Sequence, residues 1–516
     1  MDVKLILNRF DINKMKGMKK IIITLLVSLL SIVLWAGPQK GHDIKLTIKN
    51  LVNSKMILAY YYGDQKYVKD TLIIDSKGLC ELKADTNLPA GIYLAVFPAL
   101  SNKYFEFVVS EQRFSLTTDT NDLAGHIVVS GSVENQLFYD DMKFLAEQRK
   151  QSEGFNAAYK NAKTQKEKDE ARENLKKIDT VVNNKRYSVI KKYPGGFYAN
   201  ILKAMEPILP KDPKDAPRDA VGRLIDSNWV WRDYKNRYWD NVDLNDDRLL
   251  RTPIFHNKLK EFYTRTIIQI PDSIIADGDA ILKKMPPKGE LFKYTLVYML
   301  NEMAKSKIMG FDAVYVHIVK NYYSKGYTPW VDTVQLYKIN ERGRILEPLL
   351  IGKKAMNINL ADTTLKTFHS LYDVKHRFTV LCFWDPDCGH CKKEVPKLAE
   401  VYHKMKQEGI DVEMYCPTIM SIEEMKKWTD FIKEHQLDWI NVADPYRQNN
   451  FRFEWDIQST PQIYILDKDK VIKAKRIGAE QVEDFIKHEI DPKYKPKAMP
   501  MIDDENATEP TIENKK

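Results

Sequence analysis

Two cysteines separated by two residues are the feature of this sequence with the most specific chemistry. Cys388 and Cys391 follow an apolar run over 378–384, which predicts a buried strand, and they precede a predicted helix over 391–408. A thiol at the N-terminus of a helix meets unpaired backbone N–H groups and the positive end of the helix dipole, and both favour the thiolate. We therefore expect Cys388 to react with a substrate sulfur and Cys391, one helical turn further on, to resolve the mixed disulfide.

Three other interpretations of the pair compete with redox chemistry. A zinc site needs four N or S ligands, but the sequence has no second Cys-x-x-Cys, and Cys382 and Cys416 lie in predicted strands. A c-type haem attachment needs histidine after the second cysteine, where Lys392 stands. An inert structural disulfide is the third alternative. The strand–Cys-x-x-Cys–helix order favours redox chemistry, so we expect neither a metal nor an organic cofactor.

The residues around the pair resemble the TlpA/ResA type of thioredoxin-fold domain, which is found in thiol–disulfide oxidoreductases of the cell envelope. The resemblance covers 346–490. Its motifs are Phe383-Trp384 before the pair, the Cys-Gly-His-Cys sequence itself, Lys-Lys-Glu-Val-Pro over 392–396, and Ser-Thr-Pro-Gln-Ile-Tyr-Ile-Leu-Asp over 459–467. The resemblance implies thiol–disulfide exchange on the cysteines of other proteins.

The same resemblance implies roles for individual residues. It implies a cis peptide bond between Thr460 and Pro461 that faces the cysteine pair, and it places Trp384 with these two residues at the surface that binds substrate. Glu394 matches an acidic residue that would handle protons near the second cysteine. A solvated charge on the helix surface is the alternative interpretation of Glu394.

Two positions depart from thioredoxins proper. Cys382 stands where those proteins carry a buried acid, six residues before the first cysteine, and we expect it to be a small core residue. Gly389 and His390 separate the two cysteines, as the same dipeptide does in protein disulfide isomerases, and we expect them to tune the redox potential. A cation there stabilises the thiolate of the reduced form, so we expect a potential nearer about −180 mV than the about −270 mV of thioredoxin.

The elements that must position the pair alternate between strand and helix patterns, which predicts an α/β layered domain over 346–490. The strand patterns cover 356–360, 378–384, 412–416, 462–466 and 471–477, and the helix patterns cover 391–408, 421–435 and 479–489.

Two further domains precede this one. Short apolar and aromatic runs separated by turn residues over 43–135 predict a small antiparallel β-sandwich. Helix formers dominate 136–345 and predict an α-helical middle domain. We expect the polar stretch 491–516 to be a disordered tail. This layout resembles a multidomain envelope family common in Bacteroides-type bacteria, in which 310–314 and 327–332 fit the middle domain.

Residues 1–36 have the order of a secretory signal. Lysines cluster over 14–20, an apolar run follows over 21–35, and Ala36 suits the position before a cleavage site. Leu34 is large for the second position before a cut, so an uncleaved N-terminal anchor stays open as an alternative. We therefore expect an exported protein on the periplasmic side of the cell envelope, attached to the membrane only if that anchor is kept.

Composition excludes several classes of protein. The chain has 516 residues, 44% hydrophobic and 29% charged, which is typical of several globular domains, and five cysteines are too few for a disulfide scaffold. Four of the nine net positive charges lie in residues 1–36. The remaining excess is too small to argue for a nucleic-acid partner.

The leading hypothesis is an exported thiol–disulfide oxidoreductase whose direction depends on its electron supply. A membrane electron donor would make it a reductase, and without one it would oxidise or isomerise. One alternative is a peroxiredoxin-like peroxidase, although Asp385 stands where those enzymes carry Thr or Ser. The other is a non-catalytic envelope adaptor in which a thioredoxin-fold module accompanies binding domains.

Overall fold

The computed structural model describes residues 40–496. The expected signal or anchor over 1–36 lies outside the described residues, as does most of the expected tail over 491–516. The chain forms two compact units, one ending at Phe262 and the other beginning at Tyr263. In the described part of the chain, no helix is both long and apolar enough to cross a membrane.

The first unit begins with eight strands in two four-stranded sheets, one in the order β4-β1-β7-β8 and the other in the order β3-β2-β5-β6. Inward residues of both sheets, such as Leu46 on β1 and Phe107 on β6, belong to one shared hydrophobic core, which confirms a sandwich-like domain. The strands are β1 (His42–Lys49), β2 (Ser54–Tyr62), β3 (Gln65–Ile74), β4 (Leu79–Ala84), β5 (Gly91–Phe97), β6 (Lys103–Val109), β7 (Arg113–Asp119) and β8 (Val128–Ser130).

The prediction of a purely antiparallel sandwich was wrong in one ladder, because β1 and β7 pair in parallel, with Ile44 opposite Phe114. Parallel neighbours cannot be joined by a tight hairpin, so these two strands come from distant parts of the domain. Their pairing is therefore invisible to turn signals, which report only on strands adjacent in sequence.

Helices complete the first unit. Ser132 caps the first of them by accepting a hydrogen bond from the backbone N–H of Asn135, and Thr164 and Glu167 form a capping box at the second. The helices are α1 (Val133–Asn161), α2 (Gln165–Lys192), α3 (Phe197–Met205), α4 (Trp229–Arg237) and α5 (Phe255–Glu261). The expected middle domain over 136–345 is thus shared between the two units, and its boundaries stay a prediction.

The second unit opens with four helices and continues into a seven-stranded sheet. The helices are α6 (Pro271–Lys283), α7 (Glu290–Lys305), α8 (Asp312–Ile318) and α9 (Thr333–Leu346). Lys475, buried in the sheet, forms an ion pair with Asp312 at the start of α8 and donates a hydrogen bond to the carbonyl oxygen of Leu349 at 2.6 Å. These contacts fix the helical part of this unit to its sheet.

The sheet has the strand order β10-β9-β13-β12-β11-β14-β15. Its strands are β9 (Asn359–Ala361), β10 (Phe368–Ser370), β11 (Phe378–Phe383), β12 (Val412–Thr418), β13 (Ile440–Ala443), β14 (Gln462–Asp467) and β15 (Ile472–Lys475), and its helices are α10 (Cys391–Gln407), α11 (Met425–Glu434), α12 (Phe451–Glu454) and α13 (Ala479–Ile490). Along β11 successive side chains enter different cores, with Cys382 in one and Phe383 in the other. A sheet covered on both faces confirms the predicted α/β thioredoxin fold.

Candidate functional site

The cysteine pair lies where the central strand β11 gives way to α10. Beyond the strand, the backbone N–H of Trp384 donates to the carbonyl oxygen of Pro417 at 3.2 Å, and Ile419 donates back to the carbonyl oxygen of Trp384 at 2.8 Å. The loop then turns back on itself, because the N–H of Cys388 donates to the carbonyl oxygen of Asp385 at 3.2 Å. The strand–loop–helix order predicted from sequence thus presents Cys388 at the carboxyl edge of the sheet.

Cys388 has the environment of a reactive thiol. Its side chain is partly exposed, and its sulfur donates a hydrogen bond to the carbonyl oxygen of Thr460 at 3.3 Å. Partial burial raises the pKa of Cys388, but hydrogen bonds with the side chains of Thr460 and Cys391 and with the backbone N–H groups of Cys391 and His390 outweigh it and hold that pKa below its ordinary value. A larger fraction of Cys388 is therefore thiolate at neutral pH than in an ordinary cysteine.

Cys391 has the opposite environment. It is fully buried as the first residue of α10, and burial raises the pKa of its thiol to about 12. None of the five cysteines is joined in a disulfide. The two thiols thus differ in exposure and acidity in the direction that the helix-terminus argument predicted: Cys388 is the more available and the more acidic.

The pairing of strands β11 and β14 places Thr460 and Pro461 close to the cysteine pair. The peptide bond between them is cis, as the resemblance implied. They immediately precede β14, whose first residue, Gln462, is paired with Phe383 at the end of β11. Because of this antiparallel pairing, Thr460 contacts the sulfur of Cys388 although the two residues are 72 positions apart in the sequence.

Trp384 does not lie at the surface. Its side chain is fully buried and packs against Phe431 of α11, with ring centroids 5.1 Å apart. The sequence-based assignment placed this residue with the substrate-binding surface, whereas the structure places it beneath the cysteine loop. A side chain without exposed area supports the loop by packing and does not contact a docked protein.

The other predicted site residues, Gly389, His390 and Glu394, lie at the surface of the protein. Gly389 and His390 are exposed. The backbone N–H of His390, and not its side chain, forms the hydrogen bond that favours the Cys388 thiolate. Glu394, on the first turn of α10, accepts a hydrogen bond from Lys397 at 2.8 Å. That contact matches the alternative of a solvated surface charge, and a proton-handling role of Glu394 stays a prediction.

Sequence reasoning missed Lys427. This residue of α11 donates to the carboxylate of Asp387 at 2.7 Å, and Lys392 approaches the same carboxylate at 4.0 Å. The hydrogen bond from Lys427 holds the pKa of Asp387 below its usual range, so this acid stays charged but is paired. The pairing reduces the repulsion that Asp387 would exert on a thiolate at its neighbour Cys388. No local pattern connects residues 40 positions apart.

Cys382 and Cys416 lie beneath the site on the adjacent strands β11 and β12. Both are buried in the core that also holds Cys391, as expected for small core residues. Burial, together with the neighbouring Cys382, raises the pKa of Cys416 well above its ordinary value. Across residues 40–496, no group of three or more His, Cys, Asp or Glu side chains is arranged to hold a metal ion.

Comparisons with known proteins agree with this geometry. Residues 351–475 match the AhpC/TSA family, and residues 42–138 match a domain of unknown function, DUF4369. The thiol-disulfide oxidoreductase ResA of Bacillus cereus is 27% identical over 144 residues, which are 27% of this chain and 79% of that protein. ResA of Bacillus subtilis is 29% identical over 129 residues, covering 25% of this chain and 68% of that protein.

Among solved structures, a domain described as a "possible thiol-disulfide isomerase" from Cytophaga hutchinsonii is 42% identical. The match covers 29% of this chain and 99% of that domain, with a TM-score of 0.26. A thioredoxin-like protein from Bacteroides caccae is 17% identical, and its match covers 54% of this chain and 99% of that one, with a TM-score of 0.38.

The fold, the thiol pair at the strand–helix junction and the sequence relatives together define a class, the thiol–disulfide oxidoreductases with a thioredoxin-like domain. Within that class, the C-terminal domain of this chain is similar to the ResA proteins.

Proposed function

We propose that the protein exchanges disulfides with cysteines of other proteins through a mixed disulfide on Cys388. In the reducing direction the Cys388 thiolate attacks one sulfur of a substrate disulfide, so a Cys388–substrate bond forms and the other substrate sulfur leaves as a thiolate. Cys391 then loses its proton and attacks the sulfur of Cys388. This forms the Cys388–Cys391 disulfide and releases the second substrate sulfur. The substrate gains the two electrons that the enzyme pair loses. Cys391 supplies one of the two protons and solvent supplies the other, because Cys388 starts as a thiolate.

The observation that carries this proposal is the difference between the two thiols. Cys388 is partly exposed with a lowered pKa, whereas Cys391 is buried with a pKa raised to about 12. The exposed thiol can meet a protein substrate, while the buried one stays protonated until the mixed disulfide forms beside it. Thr460 and Pro461 border the sulfur of Cys388, and we assign them to the substrate-binding surface.

We further propose that the reaction takes place on the periplasmic side of the cell envelope. The signal-like order of residues 1–36 supports export. Protein thiols and disulfides are then the substrates, and the supply of electrons sets the direction. A membrane electron donor would keep the pair reduced.

The test is to trap the intermediate with Cys391→Ser in the native host. Without the resolving thiol, substrates stay bound to Cys388 and appear on non-reducing gels as adducts that a reductant removes. Mass spectrometry then identifies them. Cys388→Ser is the matched control and should trap nothing. Absence of adducts in Cys391→Ser would contradict the proposal.

Separate experiments test the two alternative functions, a peroxidase and a non-catalytic adaptor. Insulin reduction by the wild-type protein, compared with its consumption of hydrogen peroxide, separates disulfide exchange from a peroxidase. A cellular phenotype that survives Cys388→Ala would instead favour the adaptor. We expect insulin reduction, little peroxide consumption and loss of the phenotype in Cys388→Ala.

A further inference from the structure

A polar groove lies beside the cysteine loop, at the carboxyl ends of the three parallel strands β11, β12 and β13. Its volume is about 390 Å³. Its lining includes Asp385, Thr418, Glu424, Asp444, Arg447 and Arg452. Asp385 joins the groove to the reactive thiol, because its carbonyl oxygen accepts the N–H of Cys388. In sheets of this kind the crevice outside the carboxyl ends of the strands is where ligands bind.

One polar group in this groove is buried and unpaired. The side chain of Thr418, at the end of β12, is only 1% exposed, and its hydroxyl has no hydrogen-bond partner among the described residues. A buried hydroxyl without a partner costs free energy, so native structures seldom keep one unless a ligand or water satisfies it. The position of Thr418 in the lining points to an occupant that offers hydrogen-bonding groups.

The acidic side chains of the groove are hydrogen-bonded to the protein backbone. Each of the three acids accepts a backbone N–H of its own loop: Asp385 from Asp387 at 2.8 Å, Glu424 from Ser421 at 2.6 Å, and Asp444 from Gln448 at 3.0 Å and Asn449 at 2.5 Å. Those carboxylates hold the walls of the groove in place.

The two arginines are exposed, and among residues 40–496 neither is within ion-pair distance of a carboxylate, although Arg447 acts electrostatically on Glu423 from farther away. Each guanidinium carries five N–H donors, in a planar arrangement that fits a carboxylate.

The segment that carries these arginines also exposes aromatic surface. Tyr446 is 61% exposed and Phe453 is 47% exposed, and both lie between β13 and the Thr460–Pro461 turn. Tyrosine and arginine are enriched among the residues that dominate binding energy at protein interfaces. A polypeptide that enters the groove therefore meets arginine, aromatic and amide groups within one short segment that leads to Cys388.

We propose that this groove selects substrate proteins that carry an acidic side chain near the reactive cysteine, with Arg447 and Arg452 binding that carboxylate. The proposal rests on the proposed disulfide exchange and names its substrate class. A carboxylate held by the two guanidinium groups lies next to the loop of Cys388, so it brings the substrate sulfur to the thiolate in a fixed orientation. The two arginines act as specificity-determining residues and take no part in the exchange.

The test uses three peptides of equal length, each with one cysteine activated as its 2-pyridyl disulfide. The residues flanking the cysteine are aspartate in the first, asparagine in the second and lysine in the third. Attack by reduced full-length protein releases thiopyridone, whose absorbance gives the rate. The pyridyl leaving group has no carboxylate, so it does not compete for the arginines. The asparagine peptide is the internal reference, because a change in the reactivity of Cys388 alters all three rates alike.

We expect the aspartate peptide to react about threefold to tenfold faster than the asparagine peptide, as two partly exposed arginine–carboxylate contacts would give. In Arg447→Gln/Arg452→Gln the ratio of the aspartate rate to the asparagine rate should fall to about one.

The matched control, Arg377→Gln/Lys468→Gln, also removes two exposed positive charges. They lie at the opposite end of the sheet, next to the paired residues Phe378 and Asp467. This control should keep the ratio of the wild type.

Three results would overturn the proposal: a wild-type aspartate peptide that reacts no faster than the asparagine peptide, a lysine peptide that reacts as fast as the aspartate peptide or faster, or a preference that survives the double groove variant. Release of thiopyridone from none of the three peptides would be a different failure. It would contradict the proposed disulfide exchange itself, because the groove affects only the choice among substrates.

Discussion

The sulfur of Cys388 lies 3.3 Å from the backbone carbonyl oxygen of Thr460, and 72 residues of chain separate the two. This contact joins the two halves of the site, the loop after the central strand β11 and the turn before β14. It also means that whatever binds at the turn lies next to the reactive thiol. We make four predictions about this site and the domain that carries it.

The first concerns the reactivity of the two thiols. Hydrogen bonds hold the pKa of Cys388 below its ordinary value, and burial raises that of Cys391 to about 12. The rate of alkylation of the reduced protein by iodoacetamide should therefore rise with pH through a midpoint below the about 8.5 of a free cysteine. Peptide mapping should locate the label on Cys388. A midpoint at or above that of the unfolded protein would show that the site does not activate this thiol.

The second concerns Lys427, which neutralises the carboxylate beside Cys388. Lys427→Gln leaves Asp387 without its closest cation, so the thiolate becomes less favourable and the alkylation midpoint should move to higher pH. Its neighbour provides a matched control, because Lys426 is paired with Asp430 on the same helix. Lys426→Gln should leave the midpoint in place. Equal shifts in both variants would indicate a general effect of net charge and not the Asp387 contact.

The third prediction concerns how the free energy of unfolding depends on pH. Cys391 has a pKa of about 12 in the folded protein, whereas an unfolded cysteine ionises at about 8.5. Between these values the unfolded chain binds fewer protons, so the free energy of unfolding of the reduced protein should fall as pH rises. The contribution from this thiol is at most about 1.4 kcal/mol per pH unit. Cys391→Ala should show a shallower fall in urea titrations at several pH values under reducing conditions. Parallel slopes for the two proteins would contradict the burial of a neutral thiol.

The fourth concerns the buried ion pair between Lys475 and Asp312, whose side chains are 2% and 5% exposed. Lys475→Met leaves a buried carboxylate without its cation and should destabilise the second unit by about 3–5 kcal/mol in urea unfolding. Replacing both residues, as Lys475→Met/Asp312→Leu, should cost clearly less because no unpaired charge remains. Arg344→Gln breaks an exposed pair with Glu341 and should have little effect. Equal losses in the single and double variants would show that packing, and not charge, holds these elements together.

From the sequence alone, the cysteine pair and most of the strands and helices of the thioredoxin-like domain could be predicted. The Cys-x-x-Cys pair between an apolar strand pattern and an amphipathic helix pattern predicted β11, α10 and the different roles of Cys388 and Cys391. These are local properties, because side-chain periodicity and the field at a helix end depend on neighbouring residues. The closeness of Thr460 and Pro461 to the pair came from a family resemblance, since no local pattern connects the two segments.

Tertiary structure alone decided several other features. It paired β1 with β7 in parallel, buried Trp384 beneath the loop, placed Lys427 against Asp387 and fixed α8 to β15 through Asp312 and Lys475. It also placed Arg447 and Arg452 in a groove beside Cys388. Each of these features depends on which distant segments pack together, and many packings share the same local hydrophobic pattern. The choice among them is made by the free energy of the whole fold, which no short window of sequence contains.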